Sequence, residues 1–183
     1  MTSRRFEDKT AILTGGAKGI GKATALRYLS EGGRLAVIDQ EAPDSSFAEA
    51  LRSEAGQNSQ RLAYIKADAT DEADVARAVQ EAEAALGPAD ILVNNVGFGA
   101  NPTPIETLSL AEWEQFMSIN LTSAFLLTRA VVPGMRERGY GRIVNLASVA
   151  GRSISEISNL HYSTAKAAIL GFTRRLGLSL IHI

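Results

Sequence analysis

A chain of 183 residues, 45% apolar and 21% charged, is long enough to bury a real core and has the composition of one ordinary globular domain. Nineteen basic against twenty acidic side chains leave no excess charge for nonspecific binding to nucleic acid or to an anionic membrane, so a small-molecule ligand is expected. With no cysteine and two histidines, disulfides, a thiolate nucleophile and Cys-ligated zinc are excluded, and no metal site is expected.

The opening residues M-T-S-R-R-F-E-D-K contain no apolar signal core, and no uncharged apolar run approaches membrane-spanning length. A cytoplasmic location without membrane attachment is the expectation. Apolar runs then alternate with segments of helical period. A strand is read over residues 9–13 and a helix over 19–31, ended by Gly32-Gly33. A second strand over 34–38 carries Asp39 at its end. A helix over 45–55, a turn over 56–60 and a third strand over 62–66 follow. From Asp71 the apolar positions Val75, Val79, Ala82 and Leu86 mark a helix stopped by Gly87-Pro88. A fourth strand spans 91–93, with an irregular loop to about Thr107.

A long helix starts near Ser109, which stands at capping-box distance from Glu112. Trp113, Phe116, Asn120, Ala124, Leu127 and Val131 share one stripe. Asn120 on that apolar face must find hydrogen-bond partners or cost roughly 1–3 kcal/mol. Pro133 is expected to kink or end this helix. A fifth strand over 141–146, a polar loop over 148–159 and a last helix from Leu160 complete the pattern. Alternating buried-looking strands and helices imply an α/β fold, a Rossmann-type doubly wound parallel sheet covered on both faces. Ligands of such sheets sit outside the strand carboxyl ends, and Thr14, Asp39, Asp68, Asn94 and Ser148 all follow strand ends.

The first strand runs into T-G-G-A-K-G-I-G, which comprises Thr14, Gly15, Gly16, Ala17, Lys18, Gly19, Ile20 and Gly21. Glycines let the backbone approach a ligand, and the helix that starts there points N–H groups and its positive dipole end at an anion. Such a turn alone is equally compatible with a bare strand-to-helix connection. The run from Gly16 to Lys22 is close to a P-loop, but Ala23 stands where a P-loop needs a hydroxyl for Mg²⁺. A dinucleotide site instead asks for an acidic residue about 20 positions on, to hold the ribose diol, and Asp39 stands there. Its carboxylate repels a 2′-phosphate, which favours NAD over NADP. Lys18 beside the phosphate turn argues the other way.

On the last helix Tyr162 and Lys166 lie four residues apart on one face. A cation close to a phenol stabilises phenolate and suits it to proton transfer near neutral pH. The spacing is common by chance, and an exposed helical pair is its ordinary explanation. Ser148 is placed to donate to a substrate oxygen, and Asn120 supplies a fourth polar group.

Taken together, T-G-G-A-K-G-I-G, Asp39, Asp68, N-N-V-G from Asn94 to Gly97, Asn120, N-L-A-S ending at Ser148 and Y-S-T-A-K from Tyr162 to Lys166 resemble the short-chain dehydrogenase/reductase family. The resemblance covers about residues 8–177, with Val96 in place of the usual Ala. It implies an NAD(P)-dependent alcohol dehydrogenase or carbonyl reductase. In that reading Tyr162 is the acid/base and Lys166 assists it and holds the nicotinamide ribose. Ser148 orients the reacting oxygen, and Asn120 holds a water in a proton relay. Asp68 and Ala69 would lie near the adenine, and Asn94 and Gly97 would form part of the cofactor wall. The substrate would be a small alcohol or ketone, with 3-oxoacyl thioesters also open, and the parent protein a homo-oligomer. A nucleotide-binding chain with little turnover is the alternative.

The resemblance stops near residue 177, before the family's last strands, so residues 1–177 are expected to form an incomplete dinucleotide-binding domain with β-strand five at an open sheet edge. The final six residues, L-S-L-I-H-I, back-translate to CTG TCT CTT ATA CAC ATC, a transposase adapter used in preparing sequencing libraries. Residues 178–183 are therefore expected to be a non-native tail.

Overall fold

A computed structural model describes residues 4–99 and 102–180, so the last three residues of the expected tail lie outside the described residues. Among the described residues five strands form one sheet: β1 (Thr10–Thr14), β2 (Arg34–Asp39), β3 (Leu62–Lys66), β4 (Ile91–Asn94) and β5 (Arg142–Asn145). Their order is β3-β2-β1-β4-β5 and every pairing is parallel. From β1 the chain winds outward through β2 and β3, then returns to β4 on the other side of β1. The β1/β4 junction is thus the switch point where a crevice opens. Among the described residues β5 pairs on one side alone, and Val144 within it is 49% exposed.

Helices α1 (Gly19–Ser30), α2 (Ser46–Ala55), α3 (Glu72–Leu86), α4 (Leu110–Met117), α5 (Ser123–Arg138) and α6 (Leu160–Ser179) connect and cover the strands. The two-residue period of each strand sorts its side chains between two cores. Ile12, Ala36, Ile38 and Leu92 meet Val75 and Val79 of α3 and Leu127, Val131 and Met135 of α5. Ala11, Leu13, Leu35 and Val37 meet Ala25 and Leu29 of α1 and Leu51 of α2. Each large side chain taken fully out of water contributes about 1.5–3 kcal/mol, so the sheet is fixed from both faces. The cap expected at Ser109 forms at the head of α4, and Ser45 and Asp71 likewise accept from a backbone N–H in the first turn of α2 and α3.

The long helix read from Ser109 differs in two respects. It is interrupted by a π-helical turn, Ser118–Thr122, between α4 and α5. Pro133 does not end it: α5 continues through the exposed proline to Arg138, and Gly139, with φ 64°, closes it. A proline forgoes one intrahelical bond, and here the burial of Val131 and Met135 on either side holds the helix together. The continuous run Leu110–Arg138, 29 residues with mean hydropathy 1.3, is long and apolar enough to cross a membrane by length and composition alone. In this fold its buried residues form the sheet's core.

The N-terminal segment is tied down by ion pairs at the end of α1. Glu31, whose side chain is 4% exposed, bonds Arg5 and Arg27, with Arg5 Nη2 2.6 Å from its Oε1. The hydrogen bond from Arg5 leads, outweighing burial, in holding the Glu31 carboxyl at about 2 against an ordinary 4.5. A carboxyl depressed on folding contributes stability that is complete above its unfolded value and lost as the pH falls through its folded one. Stability should therefore decline as the pH drops from 4.5 towards 2, and Glu31→Gln should flatten that decline while lowering stability at neutral pH. Urea midpoints across a pH series measure both effects.

Candidate active site

β1 ends at Thr14 and the chain turns sharply into α1 through Gly15, at φ 69°, and Gly19, at φ 53°. Gly15 N–H donates to Ile38 O (2.9 Å), which holds the turn against β2. A Cβ on Gly21 would lie 2.0 Å from Gly15 O and 2.7 Å from Asn95 Nδ2, so the turn and helix touch backbone to backbone. Lys18 is the N-cap of α1, and neither a side-chain cap nor an acidic residue occupies the first turn. The first-turn N–H groups and the positive helix end thus stand towards the crevice, a setting that suits an anion.

At the far side of the turn Asp39 closes β2. Its Oδ2 accepts from Ala17 N–H (2.9 Å) and its Oδ1 from Glu41 N–H (3.1 Å), so the carboxylate links the Gly-rich turn to the strand end. Asp68 follows β3 and accepts from the Thr70 N–H (2.8 Å) and hydroxyl (2.7 Å). Burial pushes its carboxyl up, but these bonds and one from Gln40 outweigh it and hold the group below the usual carboxylate range.

Opposite this half stands α6, whose first turn is capped by Asn159 Oδ1 accepting from Tyr162 N–H (2.9 Å). One turn on from Tyr162, Lys166 is buried, donates to Leu146 O (2.9 Å) and places Nζ 5.8 Å from the Tyr162 ring centroid. Burial alone lowers its pKa from the usual 10.5. The π-helical turn supports Asn120, 1% exposed, whose Nδ2 donates to Phe116 O (3.1 Å) and whose Oδ1 accepts from Phe98 N–H (3.2 Å). A Cβ on Gly97 would lie 2.7 Å from Asn120 Oδ1 and 2.9 Å from Lys166 Nζ, so those two groups flank the glycine closely. Ser148 follows β5 and accepts from Ala150 N–H (3.2 Å) at the head of a short 3-10 turn, Val149–Gly151.

Gly15, Lys18, Gly19, Ile20, Gly21, Asp39, Asp68, Ala69, Gly97, Tyr162 and Lys166 line one cleft of about 820 Å³. Ser148 lies instead on a second cleft, about 720 Å³, with Val149, Ser155, Ile157 and Ser158. Tyr162 lines both. Asn120 stands behind Gly97.

Two of the anticipated cofactor residues turn their side chains elsewhere. Thr14, 2% exposed, uses its hydroxyl to accept from Asn95 N–H (3.1 Å) and Val96 N–H (3.2 Å), joining β1 to the loop after β4. Asn94 turns its amide towards α5 and β5, donating to Thr128 Oγ1 (3.2 Å) and Asn145 Oδ1 (2.8 Å). The next asparagine lines the cleft instead: Asn95 Nδ2 donates to Thr14 O (3.0 Å) and Gly15 O (2.8 Å). Strand alternation carries the signal, because successive side chains at the end of β4 face opposite ways. Glu41, Thr70, Gln115 and Ile119 also line this cleft without having been singled out in the sequence.

Comparison with known proteins bears on this arrangement. The family model described as short chain dehydrogenase matches residues 9–182. The chain is 39% identical over 176 residues to 2-dehydro-3-deoxy-L-rhamnonate dehydrogenase (NAD(+)) of Sphingomonas sp. (strain SKA58), covering 96% of this chain and 68% of that protein. It is 36% identical over 171 residues to levodione reductase of Leifsonia aquatica, covering 93% of this chain and 63% of that protein. Among solved structures, a levodione reductase superposes with a TM-score of 0.88 at 33% identity, over 96% of this chain and 67% of the other. A 3-oxoacyl-[acyl-carrier protein] reductase with bound NAD from Brucella melitensis superposes with a TM-score of 0.88 at 30% identity, over 98% and 68%. The chain thus spans about two thirds of the length of these relatives. With the family model matching from β1 to beyond α6, and the sheet order and helices superposing on solved members, the chain belongs to the short-chain dehydrogenase family.

Proposed function

We propose that this chain carries the cofactor site and the proton-transfer group of an NAD-dependent oxidoreductase that moves a hydride between nicotinamide and a small secondary alcohol or ketone. The observation that carries the reading is the position of Tyr162, which lines both the cleft of the Gly-rich turn and the cleft of Ser148. A proton-transfer group at that junction serves a cofactor on one side and a substrate on the other. The first cleft fits a dinucleotide. Gly21 lets the turn pack backbone to backbone on α1, the uncapped start of α1 suits the pyrophosphate, and the Asp39 carboxylate stands where it would accept hydrogen bonds from a ribose diol.

When bound, the nicotinamide supplies the hydride acceptor or donor. The chain's own residues handle the proton. Tyr162 Oη takes it from the hydroxyl of an alcohol, or gives it to the oxygen of a ketone. Lys166, held by Leu146 O, keeps a positive charge one helical turn from the phenol. Ser148 orients the reacting oxygen through its hydroxyl. Asn120 and Lys166, crowded around Gly97, suit a water-bridged path for the proton to leave. Among the described residues the second cleft is lined by the hydroxyls of Ser148, Ser155 and Ser158 with Val149 and Ile157, and by no charged side chain, which supports a neutral reacting end.

The test is to incubate the protein with NAD⁺ and a panel of secondary alcohols and follow NADH absorbance. Alcohol-dependent NADH formation supports the reading. NAD⁺ binding with no turnover on any alcohol, nor on the matching ketones with NADH, leaves only a nucleotide-binding chain.

A further inference from the structure

Lys18 and Asp39 pull the cofactor preference in opposite directions in the sequence, and the side-chain arrangement brings in a third residue. Lys18 Nζ lies 3.0 Å from Glu41 Oε1 and 3.9 Å from the centroid of the Phe47 ring. Its ammonium is thereby held between a carboxylate and an aromatic face, both from the segment after β2. Lys18, Asp39 and Glu41 line the same end of the cleft. Asp39 is itself fixed by the backbone N–H groups of Ala17 and Glu41, so the position of the second carboxylate is coupled to the first.

We infer that Glu41 is a specificity-determining residue: with Phe47 it holds Lys18 and neutralises its charge, so that the lysine does not serve as an anchor for the 2′-phosphate of NADP. The inference rests on the dinucleotide reading of the cleft. A 2′-phosphate brought to the end of β2 meets two carboxylates and one cation already paired. Removing the Glu41 charge leaves one carboxylate and an unpaired lysine there. An exposed pair is weak in stability terms, since water screens it. Its effect on a doubly charged group at close range is larger, because the three side chains go from one net negative charge to none.

The test compares the wild-type chain with Glu41→Gln, Lys18→Met and the double variant. The readout is the ratio of NADP⁺ to NAD⁺ dissociation constants, obtained by displacement of fluorescent NADH. Glu41→Gln should lower that ratio by about tenfold, an amount that one unit charge near a phosphate supplies. Lys18→Met in the otherwise native chain should not lower the ratio, because it removes a cation and leaves both carboxylates. In the double variant the gain should vanish. An unchanged ratio in Glu41→Gln overturns the inference, as does a gain that persists without Lys18, which would make Glu41 a simple repulsive charge. If NADH binds to none of the four proteins, the dinucleotide reading falls and the inference with it. If NADH binds and the ratios do not move, only the inference falls.

Discussion

Replacing Tyr162 with phenylalanine is expected to lower turnover by ~10²–10⁴-fold, the range that a positioned acid/base contributes, while leaving NAD⁺ affinity nearly intact. The substitution removes one oxygen and keeps the ring. That ring packs beside Gly99, whose Cβ would lie 4.0 Å from it, and near Lys166 Nζ, and neither contact needs the hydroxyl. The first turn of α6 is capped through the backbone N–H of residue 162, so the helix start is unaffected. Turnover and binding therefore separate, as they do when a group acts only in the transition state. Single-turnover rates with NADH and a ketone, alongside calorimetric NAD⁺ titration, measure the two quantities. Turnover comparable to the wild type would remove Tyr162 from its proposed role.

Gly21→Ala is the second large effect. A Cβ there would meet Gly15 O at 2.0 Å and Gly15 C at 2.9 Å, both main-chain atoms of the turn, and Asn95 Nδ2 at 2.7 Å. None of the backbone contacts can swing aside as a flexible side chain would. The turn must move away from α1, breaking the bond from Asn95 to Gly15 O and shifting the N–H groups that face the cleft. Overpacking of this kind costs roughly 1–3 kcal/mol of stability, and the displaced cradle should weaken NAD⁺ binding by more than about tenfold. Gly177→Ala is the control. It stands in α6 with no atom near its would-be Cβ, so it should leave NAD⁺ binding unchanged and not lower stability. Thermal midpoints and NAD⁺ titrations of the two variants give the comparison.

Most of the fold was legible because its signals are local. The strands end within a residue or two of their expected limits, since apolar runs bounded by Gly, Asp and Asn leave little choice of boundary. The Gly-rich turn was legible for the same reason: a strand, glycines and a helix start lie within one short stretch. What was not legible depends on which way a side chain turns once the sheet has formed. Asn94 and Asn95 are chemically identical in sequence, and only the pleat of β4 sends one towards Thr128 and the other to the cleft wall. Lys18 could be read as a phosphate anchor because Glu41, 23 residues away, is brought to it only by the β1–β2 pairing. The π-helical turn beneath Asn120 has no periodic signature, since one extra residue in a ring is set by packing of α4 and α5 rather than by residue type. Pro133 does not stop α5 for a related reason, its cost being outweighed by the neighbours that α5 buries.

The other roles depend on the cleft beginning at Gly15–Gly21 holding a dinucleotide and not a triphosphate. Calorimetric titration of the wild-type chain with NAD⁺, and separately with ATP in the presence of Mg²⁺, tests it directly. Saturable binding of NAD⁺ at one site per chain, weakened more than about tenfold in Gly21→Ala, with no Mg²⁺-dependent ATP binding, is the predicted result. Mg²⁺-dependent ATP binding without NAD⁺ binding would contradict it.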